Sequence, residues 1–115
     1  MARSKHMPLP DDLDRKLRTM GEDIAAARKV RRMTQEDLAE RIGVSRITVV
    51  RMERGDAGTS FGALAGAAWV MGLEDALTGA FSPDKDPVFQ REARLGLPQR
   101  VRPRDASHDT DELDF

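Results

Sequence analysis

Ser45, Arg46, Ile47, Val50 and Arg51 have the most chemistry to offer, because helical spacing gathers them toward one side of a short segment. A hydroxyl, two guanidiniums and two branched apolar side chains suit the floor of a nucleic-acid groove. Arg46 can fork onto the O6 and N7 of guanine, a contact that discriminates between bases by about 1–3 kcal/mol. It can instead take a phosphate, with less sequence information. Ile47 and Val50 fit thymine methyl groups, Thr48 fits a phosphate or a neighbouring base edge, and Arg54 beside Gly55 fits a phosphate at the helix end.

Such a face works only if a scaffold holds it outward, and the run from Thr34 to Gly55 has the spacing for one. Thr34 is a helix cap, with Asp37 at the acidic third position near the positive end of the helix dipole. Leu38, Ala39 and Ile42 follow at helical spacing. Gly43 permits a tight turn, Ser45 caps a second helix whose Val49 and Met52 point inward, and Gly55 stands where that helix would end in the left-handed conformation. Two short helices joined by a turn present the second helix to the major groove of DNA.

At 115 residues the chain makes one small domain with extensions. Its net charge of −1 conceals a polarity. From Arg15 to Arg54 eleven Lys and Arg stand against six Asp and Glu, about +5, which suits a polyanion. From Asp105 to Phe115 there are five acidic residues and no Lys or Arg. With no cysteine, neither a disulfide framework nor a thiolate metal site is possible. No apolar run approaches a membrane span and no signal-peptide core is present, so cytoplasmic residence is the expectation. His6-Met7 fits a cloning scar, and residues 1–7 stand aside from the fold reading.

Along the chain, Asp11 or Asp12 is expected to cap a first helix reaching about Arg32, with Leu13, Leu17, Met20, Ile24, Ala27 and Val30 along one side. Gly21 interrupts that pattern, so two pieces are possible. Helices are expected at about 35–42 and 46–53. A fourth, capped by Thr59 or Ser60, carries Phe61, Leu64, Ala65 and Ala68 and ends near Gly72. A fifth, from about Glu74 to Phe81, supplies Leu77 and Phe81. Met20, Met33, Met52 and Met71 read as core filler. Trp69, beside the Leu64/Ala68 stripe, is either a core-edge aromatic or an anchor for a partner.

The expected division is 1–10, a tag scar or disordered arm; 11–81, the helix-turn-helix domain; and 82–115, a Pro-containing, acidic-ending tail. Residues 82–115 are expected to be largely extended or disordered. Exceptions are a possible helical turn or two at Val88 to Leu95 and a possible lone edge strand at Gln99 to Arg102.

The set Gln35, Ala39, Gly43, Val49, Met52-Glu53 and Gly55 resembles the Cro/repressor-type helix-turn-helix family, also called the XRE family, over roughly residues 20–81. The resemblance implies an all-α, compact, five-helix, lambda-repressor-like DNA-binding domain, usually dimeric, whose third helix reads bases. It assigns Gln35 to a backbone phosphate contact, alongside Thr34. The free N–H groups of a helix N-terminus suit that anion equally, although Gln35 at the start of an exposed helix is the plainer alternative. It also implies an internal salt bridge between Arg28 and Glu53, a structural role for both. Lys29, Arg31 and Arg32 are either flanking phosphate contacts or a solvated basic face.

The parts of an enzyme are missing. One of the two histidines lies in the scar and the other, His108, in the acidic tail, and no Gly-rich phosphate loop follows a strand. No catalytic residue, metal site or cofactor is expected.

The tail carries a second resemblance. Residues 86–98 and the ending Asp-Glu-Leu-Asp-Phe look like C-terminal extensions of HipB-like antitoxins, which are encoded beside HipA-type kinase toxins. That implies a dimeric repressor of a palindromic operator that also restrains a kinase, with Leu113 and Phe115 as the partner-binding tail. A disordered acidic tail that aids solubility accounts for the same residues. A stand-alone or phage-type repressor, or an adaptor that lost DNA binding, are the other readings.

Overall fold

Gly21 does not break the first helix. In the computed structural model, which describes residues 8–96, α1 runs unbroken over Asp11–Val30 with Gly21 buried inside it. The reason is a close crossing. A Cβ built on Gly21 would lie 2.5 Å from the Glu53 carbonyl oxygen, and one built on Gly55 would lie 2.5 Å from that of Leu17. Gly55 is needed twice over, because its φ of +77° also ends the helix before it, Arg46–Glu53, in the left-handed region. Here a glycine inside a helix marks an approach of two backbones.

The cap of α1 also differs from expectation. Pro10 occupies the N-cap without a side-chain hydrogen bond, and Asp11, Asp12 and Asp14 sit inside the first turn. There their carboxylates face the positive end of the helix dipole. The helix stops at Val30 rather than Arg32, since Arg32 adopts a φ of +61°, from which no right-handed helix continues.

The described residues fall into two units divided between Gly79 and Ala80. The first holds α1, α2 (Gln35–Ile42), α3 (Arg46–Glu53), α4 (Phe61–Val70) and α5 (Glu74–Thr78). No strand occurs among the described residues, so the fold is all-α. Helix α3 packs on α1 and α2, α2 on α4, and α4 on α5. Their shared core is Met33, Leu38, Ala39, Val49, Met52, Ala63, Ala67 and Met71, with Leu38 and Val49 wholly buried. Each of those two side chains contributes about 1.5–3 kcal/mol of burial.

Several core expectations need correction. On α4 the inward residues are Ala63 and Ala67, and Phe61 is 76% exposed. Trp69 is 69% exposed, which overturns its core-edge reading. Met20 and Leu13 are exposed, as is Val30, because they flank the stripe that meets α3. Phe81 lies beyond the end of α5 and is solvent-exposed. Met33, Met52 and Met71 are core residues as expected.

The second unit has more helix than its proline content suggests. Ser82 caps a 3-10 turn at Pro83–Lys85 and Asp86 caps α6, Pro87–Arg94, accepting the Val88 N–H at 3.0 Å. Pro87 stands at the first helical position, where a missing N–H costs nothing. The Gln90 side-chain amide donates to the Pro83 carbonyl at 2.8 Å and ties the two pieces together. The expected Gln99 to Arg102 strand, Leu113 and Phe115 lie outside the described residues.

Candidate nucleic-acid interface

The turn before α3 is built from local chemistry. Thr34 and Asp37 form a reciprocal capping box at the start of α2. The Thr34 hydroxyl accepts the Asp37 N–H at 3.0 Å, and the Asp37 carboxylate accepts the Thr34 N–H at 2.9 Å. The Thr34 backbone N–H first, then the Thr34 hydroxyl and the positive charge of Arg41, hold the Asp37 carboxyl below its ordinary range. At the other end Gly43 takes a φ of +90°, and its N–H donates to the Ala39 carbonyl at 2.8 Å. Two residues later the Ser45 hydroxyl caps α3, accepting the Thr48 N–H at 3.3 Å and pairing with the Thr48 hydroxyl at 3.1 Å.

Helix α3 then divides by face. Val49 and Met52 point into the core, while Arg46, Ile47, Arg51 and the flanking Ser45 and Arg54 are exposed and Thr48 and Val50 are half-buried. Ile47, at 53% exposure, is a branched apolar side chain that the fold itself does not use. Nothing in this unit covers the side that Arg46 and Arg51 share.

Behind that face lies a hydrogen-bonded chain of four side chains. Arg28, buried on α1, grips Glu53 with Nε on Oε2 at 2.6 Å and Nη2 on Oε1 at 3.0 Å, and its Nη1 donates to the Met33 carbonyl at 2.9 Å. Both side chains are less than 10% exposed. The Gln35 amide donates to Glu53 Oε1 at 3.0 Å, and its own oxygen accepts from Arg46 Nη2 at 3.4 Å. Burial pushes the Glu53 carboxyl upward. Hydrogen bonds from Arg28 and Gln35, together with the charges of Arg28 and Lys29, outweigh it and keep the group ionised below its usual range. The Glu53 hydrogen bond likewise raises the Arg28 guanidinium against its burial. The ion pair is satisfied from both sides, so it holds α1 against the end of α3 without leaving a stranded charge.

The Arg28–Glu53 bridge is the one the resemblance implied, and the links through Gln35 are what residue patterns did not disclose. Gln35 is not a free amide at a helix start: one N–H is committed to Glu53, which turns its oxygen toward Arg46 and leaves the second N–H for a ligand. Arg28, Met33, Thr34, Gln35, Glu36 and Arg46 line an open groove of about 410 Å³. Arg28 is neutralised there by Glu53, so the positive character of the groove comes from Arg46 and the N-terminus of α2, with Glu36 opposing it.

Residues 24–68 match the family model described as helix-turn-helix. The match spans the end of α1, all of α2 and α3, and most of α4, and the all-helical fold fits a compact lambda-repressor-like arrangement. It supports a DNA-binding transcriptional regulator of the XRE type. No curated protein matches the chain. Among the described residues no helix is long and apolar enough to cross a membrane.

Proposed function

We propose that the protein is a sequence-specific transcriptional repressor that binds a palindromic operator as a homodimer and acts in the cytoplasm. The outward face of α3 carries this reading: Arg46, Ile47 and Arg51 project from a helix whose opposite side is locked into the core. Ser45, Arg46, Ile47, Val50 and Arg51 read base edges, Arg46 by forking onto a guanine. Thr34, Gln35, Thr48 and Arg54 hold backbone phosphate, helped by the free N–H groups at the α2 N-terminus. The two recognition helices of the dimer would enter successive major grooves about 34 Å apart.

Fluorescence anisotropy on a selected site and on random duplex, at two salt concentrations, tests the reading. Arg46→Ala should lower the ratio of selected to random affinity by about five- to 150-fold, corresponding to 1–3 kcal/mol. Gln35→Ala should weaken both duplexes alike and reduce the salt dependence. Equal losses for Arg46→Ala on both duplexes would remove it as a base reader. Duplex binding that is absent at low salt would leave an adaptor in place of a repressor.

Within this class the tail favours an antitoxin that represses its own operon and restrains a HipA-like kinase. The support is the resemblance of residues 86–98 and of the final five residues, whose Leu113 and Phe115 offer apolar anchors amid acidic neighbours. Deleting residues 105–115 should then spare duplex binding and abolish co-purification with the kinase. Unchanged co-purification would take the tail out of the mechanism.

A further inference from the structure

Helix α4 is alone among the described helices in carrying no Asp, Glu, Lys or Arg, yet it is half-exposed. Its inner side is filled by Ala63 and Ala67. On its outer side Phe61, Ala65 and Trp69 follow at intervals of four, so they lie along one face. Phe61 is 76% and Trp69 69% exposed. The backbone between them is bare as well, for a Cβ added at Gly62 would meet nothing within 4 Å. An aromatic pair left in water on a helix of this composition needs an occupant.

We infer that this Phe61–Trp69 face of α4 is the surface through which the protein pairs with a second copy of itself. Charge decides against a duplex, and self-complementarity favours a second copy. A duplex is a polyanion, and the face has no cation to offer it. A two-fold contact sets a patch against its own image, so it must be self-complementary. The stretch from Arg15 to Arg54 is about +5 and would repel its copy, whereas an uncharged apolar strip does not. Size then sets the strength. A fully buried Phe or Trp contributes about 150–250 Å², and these two are already about a quarter to a third covered, so four aromatics from two copies bury roughly 400–700 Å². That falls short of the roughly 1,200 Å² at which stable complexes begin. The free pair is therefore weak, and holding two copies on one duplex strengthens it through effective concentration. Only that last step rests on the DNA-binding reading.

The chain's single tryptophan reports on the contact directly. Full-length protein would be followed without DNA from about 1 µM to about 1 mM, by sedimentation for mass and by acrylamide quenching of Trp69. Mass should rise from monomer to dimer while Trp69 becomes shielded over the same range. Phe61→Ser and Trp69→Ser should each weaken the association at least about tenfold, read from mass, with no change in the thermal midpoint. Shielding that does not change with concentration would mark an intramolecular cover and overturn the inference. So would a monomer with exposed Trp69 at every concentration, or a dimer indifferent to both substitutions. Self-association that persists in a protein unable to bind duplex supports this surface and fails the repressor reading separately.

Discussion

Helices α3 and α4 start the same way: Ser45 in one and Ser60 in the other accepts the N–H three residues on, from Thr48 and Ala63. Both then turn one side to the same core, Val49 and Met52 from α3, Ala63 and Ala67 from α4. They differ in what they leave outside. α3 exposes Arg46, Ile47 and Arg51, while α4 exposes Phe61 and Trp69. The inward residues decide whether the domain exists, and the outward ones decide what it meets. A polyanion fits the first face, and an apolar copy of itself fits the second.

The largest effect should come from separating the two roles on α3. Glu53 sits on the inner edge of that helix, and Glu53→Ala leaves the Arg28 guanidinium buried without its partner. The expected cost is about 3–5 kcal/mol of stability, read as a lower urea midpoint at unchanged slope. Arg51→Ala, two residues earlier on the outer face, should change stability by no more than about 0.5 kcal/mol. Similar losses for the two variants would erase the distinction between inner and outer residues.

The same contrast on α4 is smaller because its inner residues are small. Ala67 is 1% exposed, and Ala67→Leu forces extra methylenes into filled space at a cost of about 1–3 kcal/mol. Phe61→Ser should leave the midpoint within about 0.5 kcal/mol. If the ranking reversed, the helix would be turned the other way about its axis.

These two helices also show why one region could be read from residues alone and the other could not. Around α2 and α3 the chain alternates caps, glycines, charges and apolar side chains, so Thr34, Gly43, Ser45 and Gly55 each fix a boundary or a phase. α4 is apolar on all sides, and a stripe through Leu64 and Ala68 fits its sequence as well as one through Ala63 and Ala67. Only the shape of α2 settles the matter: a Cβ added at Gly66 would meet Ile42 at 2.7 Å. Gly21 was ambiguous for a related reason, since a missing side chain looks the same at a break and at a crossing. Arg28 and Glu53 are 25 positions apart, and no local pattern joins them. That Gln35 spends an amide proton on Glu53 is a choice made only in the assembled fold.

Acid titration gives the smallest effect within the ordinary working range and sharpens the comparison at one end. Glu53 and Asp37 are both held below the usual carboxylate range in the folded protein, by Arg28 and Gln35 in one case and by the Thr34 capping box in the other. A depressed folded pKa means that the unfolded chain binds protons first as pH falls. Stability from both groups is therefore fully present above the unfolded value, about pH 4, and is lost as pH drops through the folded value. Urea midpoints should stay flat from pH 7 to about pH 5 and fall below about pH 4. Glu53→Gln should flatten that acid limb by removing one of the two groups, and Asp37→Asn should flatten it by removing the other. An acid limb of unchanged slope in both variants would show that neither carboxylate is held by the partners that surround it. The outward aromatics of α4 add nothing to that slope, because Phe61 and Trp69 carry no proton to exchange.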